Sequence, residues 1–271
     1  MQGEEDMAGE PAPAVRSNVL PYSDRVNIVT SDEPFKWLVA GWRDFRQSGI
    51  VSLGYGLIFV AASLVLTAGL YASGLAYLIA PLIAGFLLVG PALTVGLYAI
   101  SRDLERGHQP TLMQALTAWR ANPTRLIGLG LLLVLFLIIW IRLAVLIFAV
   151  SFPYETLSIE KMIIATLFTP HGNIFLLVGT VVGSVMATIA FVASVVSLPM
   201  LLDRNVDILQ AVVTSVVAAV MNARVMALWA VLIVISTAAG LLTGYIGLAV
   251  TLPLIGHASW HAYRTIIRPQ A

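Results

Sequence analysis

Cysteine is absent from the 271 residues, which excludes disulfides, thiolate metal sites and thiol nucleophiles together. Charge is scarce as well: Asp, Glu, Lys and Arg make up 11% of the chain, against roughly 25% in soluble globular proteins. The chain has no Gly-rich phosphate loop, no GxSxG turn and no paired carboxylates in an apolar setting, so nothing marks a nucleotide site or a hydrolase. No catalytic residue, cofactor or metal is therefore expected, and the chain reads as non-enzymatic, with no nucleic-acid partner. Residues 1–30 are acidic and Pro-rich and lack the basic start and short apolar core of a cleavable signal. They read as a disordered cytoplasmic tail ahead of a single membrane domain, 31–271.

Hydrophobic residues account for 59% of the chain, and the mean hydropathy is +0.92. A bilayer core of about 30 Å takes roughly 20 mostly apolar residues per helix. Apolar runs at about 49–71, 75–100, 126–150 and 173–202 meet this, and a fifth, 223–265, is too long for one crossing. Gly240, Thr243, Gly244 and Gly247 interrupt it, which predicts two spans, 223–243 and 246–265. The lipid bilayer is thus the first partner.

The expected fold class is an all-α membrane protein with six transmembrane helices. Lys and Arg gather on the cytoplasmic side of membrane proteins. With six spans and both termini inside, that side holds Arg16, Arg25, Lys36, Arg43, Arg46, Arg102, Arg106, Arg120, Arg125, Arg204, Arg224, Arg264 and Arg268. Lys161 alone falls outside and Arg142 within a span. Five spans would put Arg264 and Arg268 on the wrong side.

Between spans the chain repeats. SDEPFKWLVAGWR aligns with HQPTLMQALTAWR, pairing Trp42 with Trp119 and Arg43 with Arg120, and NVDILQAVVTSVV forms a third copy. In the first copy Asp32 or Ser31 is placed to cap a helix opened by Pro34, with Phe35, Leu38, Trp42 and Phe45 on one face. Leu112, Leu116 and Trp119 repeat that face, while Leu209, Val212, Val213 and Val216 are apolar enough to tuck against a bundle. Helices of this kind lie in the membrane interface. The chain therefore reads as three pseudo-repeats, each an in-plane amphipathic helix followed by a transmembrane hairpin.

Pro91, Pro199 and Pro253 fall late in the second span of each unit, where a kink frees a carbonyl for neighbouring helices to satisfy. They read as packing kinks or as hinges. Gly179 with Gly183, and Gly240 with Gly244, have the spacing of close helix contacts.

His257 and His261 stand one helical turn apart, followed by Arg264. Two imidazoles without a carboxylate are a poor metal site. Trp260 and Tyr263 beside them suit an aromatic belt, so interfacial anchoring leads, ahead of an anionic lipid headgroup or phosphate held by His257, His261 and Arg264, with a metal or haem last. Arg142 lies nearer the outer end of its span, where a charge needs a partner, a route to water or a function. Glu155 and Glu160 in the outer loop are its nearest partners, and a ligand or ion pathway is the alternative. The loop residues Ile159, Met162, Ile163 and Leu167 are spaced as a short amphipathic helix. Tyr71, Tyr77, Tyr154 and Tyr245 mark the outer belt.

VLPYSDRVNIVTSDEPFKWLVAGWRDF, VGPALTVGLYAISRDLERG and, above all, PLIGHASWHAYR resemble an integral-membrane family of bacteria termed domain of unknown function 2189. The resemblance, from about residue 18 onward, implies a multi-span inner-membrane protein with no assigned activity. Some relatives are labelled cytochrome c oxidase subunits. An oxidase catalytic subunit uses about six intramembrane histidines, and this chain has four histidines in all. What the label leaves open is an accessory or assembly partner of a membrane complex. That role, or the organisation of anionic lipids, is the expected function, with a small-solute or ion transporter as the alternative.

Overall fold

The computed structural model describes residues 20–152, 164 and 166–269. Residues 1–19 of the predicted tail, and Tyr154, Glu155, Ile159, Glu160, Lys161, Met162 and Ile163, lie outside the described residues; residues 20–30, expected to be disordered, are instead ordered, with a 3-10 turn at Ser23–Arg25 and a buried Val26 paired with Ile267.

Every regular element among the described residues is helical. The first helix, α1 (Glu33–Ser48), opens with Pro34. Asp32 occupies its N-cap position, but the carboxylate binds Lys36 at 2.7 Å instead of capping the backbone. Gly49, at φ 52, joins α1 directly to α2 (Ile50–Ala72); a side chain there would strain the turn. Next come α3 (Ile79–Leu93) and α4 (Val95–Glu105), separated only by Thr94. A reciprocal capping box between Thr111 and Gln114 starts the single-turn α5 (Leu112–Leu116). It is followed by α6 (Pro123–Ser151), α7 (Pro170–Ser194) and the short α8 (Ser197–Asp203). Asp207 caps α9 (Ile208–Met221), and α10 (Ala223–Leu242) and α11 (Leu248–Ile266) close the chain.

Among the described residues, five stretches are long and apolar enough to cross a membrane: Ile50–Ala72, Ala76–Glu105, Pro123–Ser151, Pro170–Asp203 and Ala223–Leu242. The predicted break within 223–265 is present as a turn in which Gly244 and Tyr245 have positive φ. The helix after it, α11, is 19 residues long but is not among the five, because His257, Ser259, His261 and Arg264 dilute its apolar character. It tolerates them because α1, α2, α4, α8 and α10 pack around it, and most of its length is buried. A helix walled by protein escapes the demand for hydrocarbon-compatible side chains that lipid imposes.

The close contacts around α11 rest on glycine. A Cβ on Gly41 of α1 would lie 2.7 Å from the backbone nitrogen of Ala258, and one on Gly56 of α2 would lie 2.5 Å from the carbonyl oxygen of Ala249. Pro253 has no N–H to offer Ala249, so that carbonyl is freed within α11, and Gly56 brings its backbone against it. The expected glycine pairs prove mixed: Gly183 packs on Trp140 and Gly240 on Leu248, whereas nothing lies near Gly179 or Gly244.

The other proline sites coincide with helix breaks whose polar groups are repaired by side chains. Below Pro91, the Thr94 hydroxyl donates to the Pro91 carbonyl at 2.9 Å and Tyr55 donates to that of Leu93 at 2.8 Å. Ahead of Pro199, Ser215 of α9 donates to the Val192 carbonyl at 2.6 Å and accepts from the Val196 N–H at 3.2 Å. These repairs meet the requirement that backbone groups inside a membrane be satisfied by protein.

The two ends of the described chain are tied together. Val26 and Ile267 form an antiparallel bridge, Asn27 N–H donates to Ile266 at 2.8 Å, and Asn222 accepts from the Val29 N–H at 2.9 Å.

Candidate functional site

The face of α1 that meets α11 is the stripe Pro34, Trp37, Gly41, Asp44 and Ser48, small or polar at most positions. Trp37 meets Trp229 of α10 edge-on, with ring centroids 5.5 Å apart. The opposite face, with Phe35, Val39 and Trp42, is exposed. Of the predicted apolar face of α1, Phe35 and Trp42 are exposed while Phe45 is half-buried and Leu38 packs against the core, and the inner face carries a polar site. In the second copy Leu116 and Trp119 are likewise exposed; in α9 the face that packs inward is Ala211, Thr214, Ser215, Val217, Ala218 and Ala219, whereas Leu209 and Val216, expected to tuck against the bundle, are exposed.

On the inner face, Asp44 is 4% exposed and accepts a hydrogen bond from His261 Nε2 at 2.8 Å. Burial pushes the Asp44 carboxyl up, but hydrogen bonds from His261 and Ser101, with the nearby imidazoles, outweigh it and hold it below the ordinary value. Ser101 Oγ of α4 also stands 2.8 Å from Nδ1 of His257. On the other side of that ring, Nε2 is 2.8 Å from Ser52 Oγ of α2, and Ser52 is 2.6 Å from Ser48 Oγ. Six polar side chains from four helices therefore gather here, Ser48, Ser52, His257 and Ser101 as one hydrogen-bonded chain and Asp44 with His261 as a pair beside it. Ser48, Ser52, Ser101 and His257 are all buried.

A second cluster lies at the end of α11. Arg204, buried to 8% exposure, donates through Nε to Tyr263 Oη at 2.8 Å and through Nη2 to the Arg268 carbonyl at 2.6 Å. Tyr263 in turn donates to Asp203 at 2.8 Å. Arg264 and the Trp260 indole both bind Glu105, and Arg102 donates to the Leu202 carbonyl at 2.9 Å.

These placements correct two expectations. Trp260 and Tyr263 do not form an interfacial aromatic belt beside the histidines, because both are buried in the bundle. His257, His261 and Arg264 do not share a face open to a headgroup or phosphate: His257 is enclosed by serines, His261 is paired with Asp44, and Arg264 is paired with Glu105. Among the described residues, no three His, Asp or Glu side chains converge on a point that could hold a metal. Arg142 is exposed on α6, and no described carboxylate reaches it; Glu155 and Glu160 lie outside the described residues. Tyr71 and Tyr77 are exposed near the turn between α2 and α3, while Tyr245 is hydrogen-bonded to Thr67 at 3.0 Å.

Sequence reasoning missed Asp44, Ser48, Ser52 and Ser101. The spacing of Gly41, Asp44 and Ser48 along the side of α1 opposite Trp42 is the signal that could have found the first two.

No curated protein and no solved structure is significantly similar to the chain. The PLIGHASWHAYR stretch lies beyond the segment that a family model covers. Residues 78–203, which hold α3 to α8, match the family described as predicted integral membrane protein, domain of unknown function 2189 (DUF2189), and the chain is accordingly an integral membrane protein with several apolar helices.

Proposed function

We propose that this is a non-enzymatic bacterial inner-membrane protein of six spans that gathers anionic phospholipid around its in-plane helices, and so serves as an accessory or assembly partner of a membrane complex. The tie between Val26 and Ile267 supports the even number of crossings, since it brings the chain before α2 and the chain after α11 to one side. Residues 102–106, 201–205 and 263–268 interlock on that same side. Counting α11 as the sixth crossing gives three units of short helix followed by hairpin, with both termini cytoplasmic by the positive-inside rule.

One observation carries the lipid reading. Both of the first two in-plane segments present a tryptophan and an adjacent arginine outward. Trp42 is exposed beside Arg43, and the Arg120 guanidinium lies 5.4 Å from the exposed Trp119 ring. Arg43, Arg46 and Arg224 meet no carboxylate among the described residues, whereas Lys36 is held by Asp32 and Glu33. Apolar side chains for the acyl region, an indole at the headgroup level and a free guanidinium for phosphate are the groups a negatively charged lipid surface attracts. The protein, assembled into nanodiscs of mixed zwitterionic and anionic phospholipid, should enrich the anionic species over the bulk. Arg43→Gln with Arg120→Gln should abolish the enrichment. Retained lipid in the bulk ratio would overturn the proposal.

A solute pathway is the second reading. A cavity of about 70 Å³ beside the α3–α4 break, lined by Phe86, Pro91, Tyr98, Phe191, Ile233 and Leu252, favours it. Arg142, exposed on α6, lends it no support. Liposome flux that survives Pro91→Ala unchanged would remove it.

A further inference from the structure

The cavity beside the α3–α4 break, of about 70 Å³, is several times larger than the roughly 10–15 Å³ that one water needs. Its floor is buried and comes from α4 and α11, with Tyr98, Leu252, Ile255 and Ser259. Its rim is half-buried and comes from three other helices, with Phe86 and Gly90 on α3, Phe191 on α7 and Ile233 on α10. These rim residues lie well inside three of the apolar stretches, so the mouth opens sideways toward hydrocarbon. No charged side chain and no histidine lines the cavity.

One hydroxyl on the floor lacks a protein partner. Other buried serines donate to the carbonyl one turn back: Ser194 to Ala190 and Ser197 to Ala193 at 2.6 Å, Ser48 to Asp44 at 2.7 Å. Ser259, 6% exposed, makes no such bond to Ile255 and meets no other partner among the described residues. A buried hydroxyl left alone is costly, and most such groups are satisfied. Ser259 and Tyr98 stand little more than one turn from Arg264 and Arg102, at the end of the bundle where the chain ends interlock. Leu248, on the same floor, lies roughly 16 Å farther along α11. The cavity thus has a hydroxyl-bearing end near the membrane surface and an apolar end toward the membrane interior, which is the polarity of a lipid in its leaflet.

We propose that the cavity is a binding site for a neutral single-chain lipid alcohol, admitted from the bilayer between α3 and α10, whose hydroxyl accepts the Ser259 hydrogen. The apolar walls hold the chain, and one placed polar group orients the head, as in most small-molecule sites. Apolar cavities of this kind stay dry and take apolar ligands. An ionic headgroup is disfavoured, because a buried charge without a counter-charge pays its full desolvation. The site is separate from the arginine-bearing face of α1 and stands independently of the anionic-lipid reading.

The test is photolabelling of the full chain in nanodiscs with hexadecanol carrying a mid-chain diazirine, the labelled positions being mapped by peptide mass spectrometry. Label should appear around Phe191 and Ile233 and be removed by excess hexadecanol, but not by hexadecyl phosphate or hexadecane. Label on Leu131 and Leu135, exposed on α6, should not saturate. Ser259→Ala should weaken the competition by hexadecanol roughly fivefold, the share of one hydrogen bond. A Cβ on Gly90 meets nothing within 4 Å, so Gly90→Leu has room to grow into the cavity and should abolish the saturable label. Both variants are first verified as folded by monodisperse elution. Label at Phe191 and Ile233 that saturates no more than that on α6 would overturn the proposal. So would equal competition by hexadecane or hexadecyl phosphate, or a folded Ser259→Ala or Gly90→Leu protein that labels and competes like the parent.

Discussion

Asp44 and His261 stand 217 positions apart in the chain, and the fold brings carboxylate and imidazole to 2.8 Å. The contact pins the end of α1 to the end of α11 across a close helix pairing, where Gly41 meets Ala258. Hydrogen bonds to a charged group contribute about 1.5–3 kcal/mol. Asp44→Asn should lower stability by roughly that amount in thermal unfolding of the detergent-solubilised protein.

The same carboxyl sets an acid dependence. Its folded value is depressed below the ordinary one of about 3.9. Its contribution is therefore present above that value and fades as the pH falls below it toward the folded value. Melting temperature should drop more steeply below about pH 4 in the parent than in Asp44→Asn, and equal slopes would contradict the assignment.

Glycine positions separate close contact from open surface. Gly56→Ala forces a methyl group into the Ala249 backbone, which cannot rotate away, and should cost about 1–3 kcal/mol. Gly179→Ala meets nothing and should be neutral, or stabilising by about 0.5–1 kcal/mol through better helix propensity. Parallel melting curves of the two variants decide the matter.

Arg204 holds two neighbours at once. Arg204→Ala would leave the Tyr263 hydroxyl and the Arg268 carbonyl without their charged donor, and should destabilise by about 1.5–3 kcal/mol for each lost hydrogen bond. Lysine should recover little of this, because a single ammonium does not reproduce two diverging N–H groups. A double-mutant cycle with Tyr263→Phe measures the coupling, and additive effects would refute it.

The absence of cysteine makes topology direct to measure. An introduced thiol at Ser73, in the turn after α2, should react with an impermeant maleimide in intact cells. One at His108 should react only after permeabilisation. Labelling of both from the same side would refute the proposed crossings.

What the sequence determined by itself was the class of the protein, the apolar stretches and the places where they break. Hydropathy adds residue by residue, and a bilayer sets one length for all helices, so about 20 apolar residues are enough to mark a span. Proline and glycine act locally, and the breaks near Thr94 and Gly244 appear where they predict. Which way each helix faces was decided only by the tertiary structure. In water an apolar stripe points to the core, but a membrane protein has apolar surroundings on the outside too, so the Phe35 and Trp42 face could not be told from a packing face by pattern alone. The buried role of His257 and the pairing of Asp44 with His261 depended on the same choice. Both arise because α11 is enclosed on several sides by other helices, and enclosure is a property of how helices cross rather than of any one stretch of chain.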